Sequence, residues 1–160
     1  MSKLRRVENS QFARFEGYID AAQHIFRNKE LEVTLEAALF DLIDKAITDE
    51  EVVREAYGGE FNPIEYRSES TVELMKSKVN ALLTLSKSYF KPPYGYVELI
   101  QENVRQGYWK LLEECFDYKR SRVIELGHHV PYVNMGARFT YILYAPDMSR
   151  CMLLVGNTSD

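Results

Sequence analysis

The chain has 160 residues with a formal net charge of −4, a pI near 5.5 and 46% hydrophobic residues, which fits one folded domain rather than a disordered acidic tail. A negative balance runs against general nucleic-acid binding, whose domains are normally basic. No apolar run approaches the ~20 residues that span a bilayer, and Met1 to Arg6 lacks the apolar core of a secretory signal, so a cytoplasmic protein without a membrane partner is expected.

Residues 1–9 are polar and basic and read as a flexible terminus. Ser10 can cap a first helix with Phe12, Phe15, Ile19, Ala22 and Ile25 or Phe26 on one side; His24 reads as a surface or hydrogen-bonded histidine rather than a ligand. A second helix is predicted over 34–47 from Leu35, Ala38, Leu39, Leu42, Ile43 and Ala46. Thr48 followed by Glu51 has capping-box spacing, Asp49 and Glu50 add first-turn acids, and Gly58-Gly59 closes the short third helix. A loop is expected over 60–67.

Two long amphipathic segments follow. Ser70 with Glu73 repeats the capping-box spacing and opens a stripe through Val72, Met75, Val79, Leu82, Leu83 and Phe90, which Pro92 and Pro93 must end. After Gly95 a second stripe runs through Leu99, Val104, Tyr108, Leu112 and Phe116. Gly107 interrupts it at a cost of about 1 kcal/mol against alanine, tolerable where another helix crosses closely. The short link favours an antiparallel hairpin. Beyond Phe116 the pattern becomes β-rich: 123–126, 129–133, 138–144 and 150–155, the last two forming the clearest hairpin. Both its faces are apolar, so helices are expected on one side and a second copy on the other, giving a homo-oligomer through the C-terminal sheet. The fold class read from this order is α+β in a single domain, 1–160. A helical part (10–120) of five helices packs on a small C-terminal antiparallel sheet (121–156) of three to four strands.

Chemistry is sparsely signalled. Cys115 and Cys151 read as buried free thiols. There is no phosphate-cradle glycine pattern, no Walker lysine and no G-x-S-x-G elbow, so neither a cofactor nor a serine nucleophile is expected. Arg122, Glu125 and His128 are the strongest catalytic candidates, since an arginine and a histidine together can stabilise a phosphorane and move protons. Arg122 and His128, six positions apart, resemble the arginine-to-histidine pair of HEPN-type ribonucleases. That resemblance implies a metal-independent ribonuclease, but it covers those two residues alone. It lacks the polar residue that usually follows the arginine, and that family is all helical. Glu125, His128 and His129 as metal ligands conflict with strand geometry, which points neighbours to opposite faces.

The remaining candidates are contact surfaces. From Asn28 to Glu60 ten acids stand against three basic residues, with Asp49, Glu50 and Glu51 at their centre. That segment can attract a basic partner or be a solvated helix face. Lys91, Tyr94 and Tyr96 place two rings and a cation on a stiff proline connector. The preferred expectation is a non-enzymatic protein-binding or regulatory protein of inhibitor or immunity type. The alternatives are the ribonuclease using Arg122 and His128, and a small-molecule sensor with a pocket between helices and sheet.

Overall fold

The computed structural model describes residues 2–26, 32–58, 64–84, 97–128 and 138–159. Their order is β1 (Leu4–Arg6), α1 (Ser10–Phe26), β2 (Glu32–Leu42), α2 (Asp49–Tyr57), β3 (Ile64–Ser70), α3 (Val72–Thr84), α4 (Val97–Cys115), a 3₁₀ turn (Tyr118–Arg120), β4 (Arg122–His128), β5 (Arg138–Tyr144) and β6 (Arg150–Ser159). The strands form one antiparallel sheet in the order β1-β2-β6-β5-β4-β3. The expectation of five helices on a three- to four-stranded C-terminal sheet is therefore corrected: the described residues hold four α-helices and a six-stranded sheet. Three of the strands come from the part of the chain expected to be helical or frayed.

The largest correction is β2, predicted as a helix. Val33, Leu35 and Leu39 belong to one core, while Ala38, Phe40 and Leu42 belong to the other. A central strand covered on both faces carries a near-continuous apolar run, and period alone does not separate such a run from a helical stripe. Leu35, Leu39 and Leu42 satisfy both templates. Phe40 is fully buried in the strand, yet the helical stripe left it unused. The loop expected over 60–67 is corrected over 64–67, its described part, for the opposite reason: β3 is an edge strand of polar residues, Ile-Glu-Tyr-Arg-Ser-Glu-Ser, with no apolar alternation to mark it. At the start of the chain Leu4 pairs with Leu42, so residues expected to fray carry a strand.

Two caps also shift by one residue. Asn9 Oδ1 accepts from Phe12 N at 2.8 Å and starts α1, and Thr71 Oγ1 accepts from Leu74 N at 3.2 Å and starts α3. Ser70 ends β3 instead. The capping box at Thr48 and Glu51 is present as the spacing requires, and Gly58 N–H closes α2 on Arg54 O at 2.7 Å.

Helices α1, α3 and α4 cover one face of the sheet, where Phe12, Phe15, Met75, Leu82, Tyr108 and Leu112 pack on Leu39, Tyr141 and Met152. Cross-links step in opposite senses along α3 and α4: Thr84 with Arg105 (2.6 Å) and Asn80 with Trp109 (2.7 Å). The pair is therefore antiparallel. Gly107 in α4 receives Tyr18 of α1, whose hydroxyl donates to the carbonyls of Asn103 and Val104 at 3.1 Å each. The close crossing expected at that glycine exists.

The opposite face carries α2. Val52 and Val53 pack on Ile124, Ile142 and Leu153. Nine residues make a marginal helix alone, and α2 is held from both ends. Lys3 pairs with Glu51 at 3.0 Å. Arg6 donates to the carbonyl of Ala56 at 3.3 Å, a cation at the end where the helix dipole favours one, and Tyr57 donates to Glu36 at 3.0 Å. β5 and β6 lie inside the sheet with strands on both sides. No described helix is long and apolar enough to cross a membrane.

Candidate functional site

A groove of about 760 Å³ opens where the start of α2 faces β3, β4 and the end of β5. Ile47, Ile64 and Met148 give it apolar surface, and Lys45, Glu50, Arg67 and Arg122 give it charge. The capping box fixes its α2 wall by satisfying two backbone donors at the helix start. This orders Asp49 in the first turn, where its carboxylate takes Arg67 from β3 and, at 2.5 Å, the hydroxyl of Tyr144 from β5. The Asp49 side chain is only 11% exposed. Tyr144 is buried, and burial followed by its bond to Asp49 drives its pKa far above the ordinary phenol value, so the hydroxyl stays protonated and donates. Hydrogen bonds to a charged group are worth roughly 1.5–3 kcal/mol, so this three-element contact fixes the groove's depth.

The outer wall is looser. Arg122 Nε donates to Glu69 Oε1 at 3.0 Å, with both side chains half exposed or more. Exposed pairs contribute only about 0–1 kcal/mol, so an incoming charged group can exchange with either partner. Lys45 Nζ donates to the carbonyl of Asp147 at 3.0 Å. Tyr66, also on β3, turns its ring to the α3 face of the sheet, where it is 48% exposed. The ring lies against Gly127, where a Cβ would come within 2.4 Å of Cδ1. Its hydroxyl meets Ser68 Oγ at 3.1 Å. Glycine is what lets this ring lie down on the sheet in a fixed pose.

The groove takes in part of one candidate set read from the sequence, the acids of α2, and divides another. Of the acids, Asp49 is engaged internally, and Glu51 is spent on the cap and on Lys3, which lower its pKa in that order. Glu50 alone of the three is exposed on the groove wall with no such bond among the described residues. Arg122 lines the groove, whereas Glu125, three positions on, pairs with Lys78 of α3 on the opposite face. His128 stands six positions from Arg122 along one strand, a span of about 20 Å at ~3.3 Å per residue. Arg122, Glu125 and His128 are thus not brought together. Lys91, Tyr94 and Tyr96 lie outside the described residues. Among those described, no group of three histidine, cysteine or carboxylate residues is placed to hold a metal. Burial pushes the Cys115 thiol up to about 11 and that of Cys151 to about 12, against the readily ionised thiol a nucleophile needs.

No protein-family model matches the chain, and no curated protein matches it. Solved structures do. The fold is similar to that of citrus MAF1. One crystal form of citrus MAF1 superposes with a TM-score of 0.54 at 11% identity, over 94% of this chain and 99% of that one. A second crystal form gives 0.54 and 11%, over 91% and 98%. The likeness to citrus MAF1 thus extends over nearly the whole of both chains and concerns the fold.

Arg67, Glu69, Tyr144 and Met148 were missed at the sequence level. The only signal was the alternation Glu65-Tyr66-Arg67-Ser68-Glu69-Ser70, which has strand period but charge where apolar residues are usually sought.

Proposed function

We propose that this chain is a non-enzymatic protein-binding regulator that takes a segment of a partner protein in the groove between α2 and strands β3 to β5. The observation that carries the reading is the ordering of the groove before any partner arrives. Asp49 holds Arg67 and Tyr144 in place beside the apolar surface of Ile47, Ile64 and Met148. Charges set in place in advance lower the entropy cost of binding. Glu50 on the helix wall suits a basic side chain of the partner, and Arg122, held by a weak surface pair, suits an acidic one. The acidic segment read from the sequence enters this reading through Glu50, because Asp49 and Glu51 are occupied.

A photo-crosslinking amino acid placed at Glu50 and, separately, at Lys45 tests the proposal, since both are exposed and line the groove. Both positions should capture the same partner protein, and Arg122→Glu should abolish capture from Glu50. Capture instead from Lys110, exposed on α4 on the far side of the sheet, with none from Glu50 or Lys45, would place the binding surface elsewhere. The groove volume also lies within the ~300–1,000 Å³ of small-molecule pockets, which favours a sensor as the second reading. A sensor would show a thermal shift with a metabolite panel that Arg122→Ala removes.

A further inference from the structure

The strand order leaves β3 at one rim of the sheet, and among the described residues no strand pairs with its outer side. An unpaired edge of this kind is a template for another strand. The register of β3 with β4 is irregular between Ile64 and Tyr66 and continuous from Tyr66 to Ser70, so five residues present a regular edge. Their side chains alternate. Arg67 and Glu69 lie on the α2 face, where they meet Asp49 and Arg122, and Tyr66, Ser68 and Ser70 lie on the other.

We propose that two copies of this chain dimerise by antiparallel pairing of β3 with β3, centred on Ser68, to make one continuous sheet. A two-fold axis normal to the sheet keeps each face on its own side, so only registers centred on a residue are allowed. Centring on Ser68 sets Arg67 opposite Glu69 of the second copy, twice, and Tyr66 opposite Ser70 of the second copy, twice. Centring on Arg67 would oppose it to itself and set Glu65 against Glu69, and like charges directly opposite destabilise a pair. Centring on Tyr66 runs into the irregularity before that residue. The charge order therefore selects one register.

In that register Arg67 lies between Asp49 of its own chain and Glu69 of the second copy, which Arg122 of that copy already holds. A line of alternating charge thus crosses the seam in both directions. The side chains of Arg67 and Glu69 are 44% and 62% exposed, so the lone chain leaves much of their charge in water. This inference is independent of the partner-binding reading, and its tests read mass rather than partner capture.

Analytical ultracentrifugation at about 100 µM, where interfaces below ~1,200 Å² are populated, should return the mass of a dimer. Arg67→Glu and Glu69→Arg should each return a monomer. An equimolar mixture of the two should restore the dimer, because one edge then carries two acids and the other two arginines. A variant that had merely misfolded would not be restored. Under mild oxidation Ser68→Cys should cross-link to itself and Ser70→Cys should not, since only position 68 meets its own counterpart. A monomeric wild type, a mixture that stays monomeric, or cross-linking of Ser70→Cys equal to that of Ser68→Cys would overturn the proposal.

Discussion

Replacing Gly107 by alanine should destabilise the protein, although alanine is the better helix former by about 1 kcal/mol. The reason lies in α1. A Cβ at position 107 would stand 2.1 Å from Tyr18 Oη, 2.4 Å from Cζ and 2.9 Å from Cε2. The ring must therefore swing away and give up its bonds to the carbonyls of Asn103 and Val104. Overpacking of this kind costs about 1–3 kcal/mol, and a lost hydrogen bond adds about 1 kcal/mol. Set against the propensity gain, the net loss is about 1–3 kcal/mol, seen as a lower urea midpoint at unchanged slope. In a Tyr18→Ala background the obstruction is gone, and the same substitution should stabilise by about 1 kcal/mol. The double-mutant cycle thus predicts a change of sign, with a coupling of about 2–4 kcal/mol. A Gly107→Ala protein more stable than wild type, with Tyr18 present, would refute the close crossing.

Asp49→Ala should cost about 2–3 kcal/mol in urea unfolding, since it leaves the buried Tyr144 hydroxyl without its acceptor. Adding Tyr144→Phe should recover part of that loss. Asp41 is held below its ordinary value of 3.8, first by its hydrogen bond to Arg5 and then by Arg150. Its contribution to stability is therefore present above pH 3.8 and lost as pH falls through the lower folded value. Asp41→Asn should flatten that acid limb in a pH series of thermal melts. With Cys115 pushed up to about 11 and Cys151 to about 12 from 9, iodoacetamide near pH 8 should modify neither thiol in the native protein and both in urea. Above pH 9 the unfolded chain ionises these thiols first, so stability should fall as pH rises toward those values.

Local patterns were legible in proportion to how local their cause is. The Thr48 and Glu51 cap is a contact over three residues, and the structure contains it. The α1 stripe of Phe12, Phe15, Ile19 and Ala22 is buried as its period demands. His24 is exposed, in line with its reading as a surface residue. The hairpin of β5 and β6 follows from two apolar runs around a turn in which Asp147 Oδ1 accepts from Ser149 N at 3.0 Å. Position 107 signalled a helix crossing because a glycine inside a strong helical pattern needs a reason, and Tyr18 is that reason.

The order of residues alone shows which segments carry an apolar face, where several elements start and stop, and that the interior is built from aliphatic and aromatic residues. Long-range packing settled that 32–42 is a strand, because burial on two faces removes the alternation that would distinguish it from a helix. It alone decided the groove as well. Asp49, Arg67, Arg122 and Tyr144 come from four elements, and their meeting depends on how α2 is laid across the sheet. Side chains so far apart in the chain leave no periodic trace, since period records which way a residue faces and not what it faces.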